Sequence, residues 1–310
     1  MSQASKPRQV LTSDVRVERA FSRTCVFGRT RTIRIVLLCL ICFALAPRLA
    51  LAQVSGASLT PIQREIETQR ARLSSTEVEE RRDAVTRLGA MARPDAARAV
   101  VPALVDREPV VRATAARAVL SLPRDEAARL LLPLLHDKQE FVRRETAYAL
   151  GLARSTTAID DLIVALSLDK EAGVRGASAV ALGQIGDARA VPALSDALGR
   201  RVSRGLVNRA TLRKTEENDF VRRAAAISLG QIKSREGVPA LVAALTNERA
   251  GDDVRRESAR ALGLIGDKSA TPALNAALTA RDPYLSQLAL EALRKIDPNG
   301  AIRPARNPAR

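Results

Sequence analysis

"VRRESARALGLIGD", Val254–Asp267, decides the fold. Nearly the same phrase recurs as "VRRAAAISLGQIKS" from Val221 and as "VRGASAVALGQIGD" from Val174. Aligned on the residue that opens each phrase, the copies begin at Glu80, Val111, Val142, Val174, Val221, Val254 and Leu285, at intervals of 31, 31, 32, 47, 33 and 31. Self-similarity at a fixed period of roughly 30 residues marks a solenoid, in which a unit buries its apolar face only by stacking on its neighbours.

Within each phrase apolar residues stand five, eight and eleven places after the opener, as in Ala116, Val119 and Leu122 or Ala259, Leu262 and Ile265. That is the spacing of an amphipathic helix, with a small residue first so that neighbouring helices approach closely. A glycine follows the eighth-place residue in most copies (Gly89, Gly151, Gly183, Gly230, Gly263). It costs about 1 kcal/mol relative to alanine inside a helix, so close packing against a neighbour is the expected return. Gly186 and Gly266 stand where a helix end takes a left-handed residue. A second helix pattern, "AVPALSDAL" from Ala190, "GVPALVAAL" from Gly237 and "ATPALNAAL" from Ala270, precedes each later phrase. Pro102, Pro133, Pro192, Pro239 and Pro272 are expected near its start, where a missing N–H costs little. The prediction is an all-α chain, a right-handed α-solenoid of about seven stacked two-helix units. Helix pairs spaced ~8–10 Å apart would make it a curved rod on the order of 60 Å long.

This phrase set resembles HEAT repeats, most closely the short HEAT-like subtype named after phycobilisome lyases, over roughly residues 60–296. The resemblance rests on an apolar-Pro-Ala-Leu helix, an Asp near its end and a Val-Arg that opens the next helix. It implies a ladder of Asp–Arg hydrogen bonds along the turns, here Asp106 with Arg112, Asp137 with Arg143 and Asp169 with Arg175. The end copies depart from it, with Glu80 for the opening Val and Ser286 for the Arg, as capping units commonly do. Chromophore attachment, an activity of some relatives, is not carried over, because fold alone does not transfer function.

The resemblance also implies that the phrase helices line the concave side. Positions three, six and ten after each opener then face a groove. In the outer units these are polar, for example Asp83 and Thr86, Thr114 and Arg117, Glu257 and Arg260. In the middle units they read Tyr148 and Leu152, then Ala177, Val180 and Gln184, then Ala224, Ile227 and Gln231. An exposed apolar strip bordered by charge marks an interaction site more often than chance. Arg144, Arg223 and Arg256, two places after their openers, would flank it. Packing between adjacent helices is the competing reading of the same side chains.

The first 52 residues read differently. "IVLLCLICFALA", Ile35–Ala46, follows Arg29, Arg31 and Arg34 and precedes an A-x-A site at Ala50–Ala52. This is the pattern of a secretory signal peptide with a long basic leading region, cleaved near Ala52; an uncleaved anchor is the alternative. The run is shorter than the ~20 residues a spanning helix needs. The expectation is export to a periplasmic or extracellular space. Residues 53–296 would form the solenoid, and 297–310 a basic, Pro-rich disordered tail. The whole chain carries 50 Lys and Arg against 34 Asp and Glu, net +16. Past residue 52 there remain 41 basic and 32 acidic residues, net +9, and no cysteine, so no disulfide or thiol chemistry.

The 47-residue interval holds an insertion, about residues 200–218, with Arg200, Arg201, Arg204, Arg209, Arg213 and Lys214. It is read as a solvated loop, with a basic lip over the groove as the sharper alternative. No H-E-x-x-H, Gly-rich phosphate loop or G-x-S-x-G is present. The single histidine, His136, ends a first helix, and Glu79–Glu80 and Asp160–Asp161 point apart on a helix. No cofactor, metal or catalytic role is expected. Nucleic acid is disfavoured: only Phe141, Tyr148, Phe220 and Tyr284 remain for stacking past residue 52, and three of them directly precede a repeat opener. The reading is a non-catalytic exported scaffold that binds a protein or peptide in its concave groove. The alternative is an adaptor held to an anionic lipid or polymer surface of the cell envelope by insertion and tail.

Overall fold

A computed structural model describes residues 59–203 and 214–299. Residues 1–58, which include the expected signal segment, 204–213 at the centre of the insertion and 300–310 of the tail lie outside the described residues. From Thr60 onward the chain forms one compact unit. Fourteen α-helices are described, arranged in seven pairs. These are α1 (Pro61–Arg72) with α2 (Val78–Ala90), α3 (Pro94–Val100) with α4 (Pro109–Ala118), α5 (Arg124–Leu131) with α6 (Glu140–Ala153), and α7 (Ile159–Leu168) with α8 (Ala172–Ile185). Then follow α9 (Val191–Gly199) with α10 (Asp219–Ile232), α11 (Val238–Thr246) with α12 (Asp252–Ile265), and α13 (Thr271–Ala277) with α14 (Pro283–Ile296). Each second helix packs on its own first helix and on the second helix of the next pair, giving the right-handed α-solenoid the period predicts. No described helix is long and apolar enough to cross a membrane.

The core sits between the two helix layers. The fifth- and eighth-place residues, such as Val85 and Leu88, Ala147 and Leu150, or Ala259 and Leu262, are buried. Full burial of one such leucine contributes about 1.5–3 kcal/mol. The helical glycines do what their position suggests. A Cβ on Gly263 would stand 2.8 Å from Ala292 Cα, and one on Gly230 2.9 Å from Ala261 Cα, so second helices meet backbone to backbone at these points. Gly186 and Gly266 end their helices in the left-handed region (φ 80° and 75°). Arg154 and Lys233 hold the equivalent positions at φ 53° and 59°, without glycine's freedom.

Two expectations need correction. Pro192, Pro239 and Pro272 stand in the first turn of α9, α11 and α13. Pro102 and Pro133, however, lie past the middle of their first helices. There α3 and α5 tighten into 3-10 turns, Val101–Val105 and Leu132–His136, because proline cannot donate the next i→i−4 bond.

The second correction concerns the ladder: the expected pairs bond within a unit only through the aspartate's backbone carbonyl, while each aspartate's carboxylate is held by the arginine of the preceding unit. Arg112 donates through Nε and Nη2 to Asp137 (2.7 and 2.8 Å), one unit ahead, and through Nη1 to the backbone carbonyl of its own Asp106 (2.8 Å). Arg81 holds Asp106, and Arg143 holds Asp169, in the same bidentate manner. The fourth rung is Arg175 on Glu217, at 2.9 and 2.6 Å, so a glutamate two residues before α10 replaces the expected Asp. After that the register changes: Arg256, not Arg255, holds Asp282 (2.7 and 3.0 Å).

The base of the insertion is therefore built in, not solvated. Strands β1 (Arg201–Ser203) and β2 (Lys214–Glu216) pair antiparallel, with Val202 opposite Thr215. Below them the Glu217 amide donates to the Arg200 carbonyl, and Arg200 Nη1 donates to the Leu166 and Ser167 carbonyls at the end of α7.

Candidate functional site

The face formed by the second helices is organised by a regular interlock. At the four joints from Val174 onward, the residue before the opener sits against the residue two places after the previous opener. Phe220 lies over Gly176, leaving no room for a Cβ there. Gly173, conversely, faces the stem of Arg144, 3.6 Å from where its Cβ would be. Asp253 lies 3.8 Å from Arg223, and Tyr284 places its ring 5.2 Å below the Arg256 guanidinium. Large meets small, anion meets cation and ring meets cation. This accounts for Phe220 and Tyr284 standing directly before their openers.

The sequence-predicted site residues divide across this face. Leu152 is exposed (53%) and Gln231 is exposed; Tyr148, Val180, Gln184 and Ile227 are half-buried. Tyr148 and Val180 pack against the core. Ala177 and Ala224 are buried, not groove-lining, because the middle second helices approach too closely to leave their third positions open. Of the flanking arginines, Arg144 is paired with Glu140 at 2.9 Å, and Arg223 is the most open. Arg256 is bound by Asp282 and Asp253, and the Asp282 hydrogen bond raises its pKa well beyond the ordinary arginine value. Gln184 Oε1 is buried with no hydrogen-bond partner among the described residues.

Two features of this face were missed. Phe220 (46% exposed) and Leu264 (40%) extend the apolar strip beyond Leu152. Leu264 stands ten places after its opener, as Leu152 does, so the rule already in hand reaches it once unit six is included. The other feature is a cavity of about 510 Å³ across α2, α4 and α6, lined by Val85, Gly89, Val110, Ala113, Ala118 and Phe141, with Arg117 and Glu145 at its polar margin. The outer units, expected to be polar here, thus hold a largely apolar hollow, lined by small and branched side chains such as Val85, Val110, Ala113 and Ala118.

The ladder carboxylates are held ionised. Burial would raise Asp106, Asp137 and Asp169, but the facing arginine and a backbone N–H two residues on outweigh it and lower all three. His136 is exposed at the end of its 3-10 turn. Among the described residues no three His, Cys, Asp or Glu side chains come together as a metal site would require.

The sequence matches HEAT repeats over residues 66–151, 128–212 and 206–294. The chain belongs to the HEAT-repeat family. None of the curated proteins compared with it matches significantly. Among solved structures, this HEAT-repeat chain is similar to the E. coli protein YibA, at 21% identity and a TM-score of 0.53, covering 76% of this chain and 81% of that one. The complex of CpcE and CpcF of phycocyanin lyase from Nostoc sp. PCC7120 is 24% identical with a TM-score of 0.45, covering 78% and 90%. Human deoxyhypusine hydroxylase is 19% identical with a TM-score of 0.36, covering 75% and 96%. At these identities the likeness concerns the fold alone.

Proposed function

We propose that this HEAT-repeat protein is a non-catalytic, exported scaffold that binds a protein or peptide segment along its second-helix face. The observation that carries the reading is the exposure of three large apolar side chains on the second helices, Leu152, Phe220 and Leu264, together with the 510 Å³ cavity at Phe141. Scattered exposed leucines are ordinary, but several on one face beside an apolar hollow supply the anchors that interfaces use. Export rests on the N-terminal sequence pattern and is part of the same proposal.

The test is affinity capture from the envelope fraction of the source organism, with wild type and with Leu152→Asp/Leu264→Asp. Both side chains already face water, so the double variant should keep its helicity and melting temperature while losing its partners. Undiminished capture by a folded variant would sink the reading. Capture that instead disappears on raising the salt would move the binding to a charged surface, since apolar contact survives screening.

A further inference from the structure

The ladder shows what an arginine at the first place after an opener is built to hold, and in unit six that slot is open. In units one to four, Nε and Nη2 of Arg81, Arg112, Arg143 and Arg175 grip a carboxylate of the next turn, whereas in unit five Arg222 turns Nε to the Leu198 carbonyl and Nη1 to Asp219. Arg255 has the equivalent place, yet the next turn's Asp282 is already taken by Arg256 and by the Tyr284 amide. Arg255 donates only through Nε, to the Leu245 carbonyl at 3.1 Å, and has no ion-pair partner among the described residues. Its side chain lines a cavity of about 770 Å³ between the end of α11, the start of α12 and the end of α13. Arg281 lines the same cavity and is likewise without an ion pair among the described residues; so are Glu248 and Asp252. The cavity therefore offers Arg255, Arg281 and Glu248 without an ion pair among the described residues, beside Asp252, which also acts on Arg256, and the paired Asp282.

We propose that this cavity is a docking site for an acidic–basic turn of a partner protein, whose carboxylate takes the open place on Arg255 while the following cation meets Glu248 and Asp252. The chain's own rungs have that chemistry: the held aspartates precede Arg107, Lys138 and Lys170. A guanidinium and a carboxylate in bidentate contact form one of the stronger polar interactions available at a surface. The site lies along the turns, so it stands independently of the second-helix face.

The probe is a blocked, labelled heptapeptide with the sequence of Ser167–Gly173, SLDKEAG, titrated into the full-length chain and followed by fluorescence anisotropy. Saturable binding is expected, with at least a tenfold loss when the peptide's Asp becomes Asn and an equal loss for Arg255→Gln. Ala276→Trp, which fills the cavity from an exposed position on another helix, should abolish binding with melting unchanged. Leu152→Asp/Leu264→Asp should bind the peptide normally, which separates this site from the proposed apolar one. Absence of saturable binding, or equal binding by the Asn peptide, Arg255→Gln or the folded Ala276→Trp chain, would overturn the proposal.

Discussion

Two variants of the insertion should behave in opposite ways although they remove the same loop. In the first, residues 202–216 give way to a short Gly-Ser linker and Glu217 is kept. Loop closure changes by only about 0.6 kcal/mol per doubling of length, so stability should hardly move. In the second, the linker is combined with Glu217→Gln. The Glu217 side chain is 0% exposed and its partner Arg175 only 11%, and the two make two hydrogen bonds of 2.9 and 2.6 Å. Removing one partner of a buried pair leaves the other charge uncompensated, which costs about 3–5 kcal/mol. The lower end applies here, because Arg175 Nη1 keeps the Asp169 and Lys170 carbonyls. An exposed pair such as Arg93–Asp95 contributes about 0–1 kcal/mol, so the contrast is measurable. At roughly 2–4 °C per kcal/mol for a unit of this size, the second variant should melt at least about 6 °C below the first by far-UV circular dichroism. Equal melting of the two would refute the assignment of Glu217 as a rung.

Gly263→Ala should destabilise by about 1–3 kcal/mol in urea titration, because the new Cβ meets Ala292 backbone at 2.8 Å and overpacking outweighs alanine's helix preference. Lys233→Gly should stabilise by up to about 1 kcal/mol in the same assay, since a lysine at φ 59° carries left-handed strain that glycine relieves. Acid should weaken the stack. The folded pKa values of Asp106, Asp137, Asp169 and Asp282 lie below their unfolded ones, so their contribution is present above about pH 4 and lost as pH falls through the folded values. Melting temperature against pH should be level near neutrality and drop in that window; a level curve below about pH 3 would contradict it. N-terminal sequencing of the exported protein should begin at or near Gln53, and an intact Met1 terminus in membranes would contradict the export proposal.

The helical architecture was legible because the repeat phrase writes burial directly: each opener from Val111 onward, and each eighth-place residue, is buried where the period puts it. The ladder partners were not. Spacing places Asp137 near Arg143 in sequence, but a guanidinium has two edges. Only the structure shows that the inner edge takes the near turn's carbonyls, while the other takes Asp169. The exposure of the second-helix face was partly legible. Leu152 and Gln231 are open as the face assignment requires, whereas Ala177 and Ala224 vanish into the helix contact because small side chains invite neighbours closer. The hollow beside Phe141 depends on side-chain size across three units, which no single phrase records.

The interlock of the second helices means that the units are not interchangeable beads. From Val174 onward each joint is keyed by size or charge: Phe220 fits Gly176, Gly173 fits Arg144, Asp253 fits Arg223. Excising one repeat, say α7 with α8, would bring Phe220 to bear on Arg144 rather than on a glycine, a mismatched lock at the new junction. The order of the copies is thus written into their contacts. A lineage that gained or lost a unit would have had to recut two facing positions before the stack could close again.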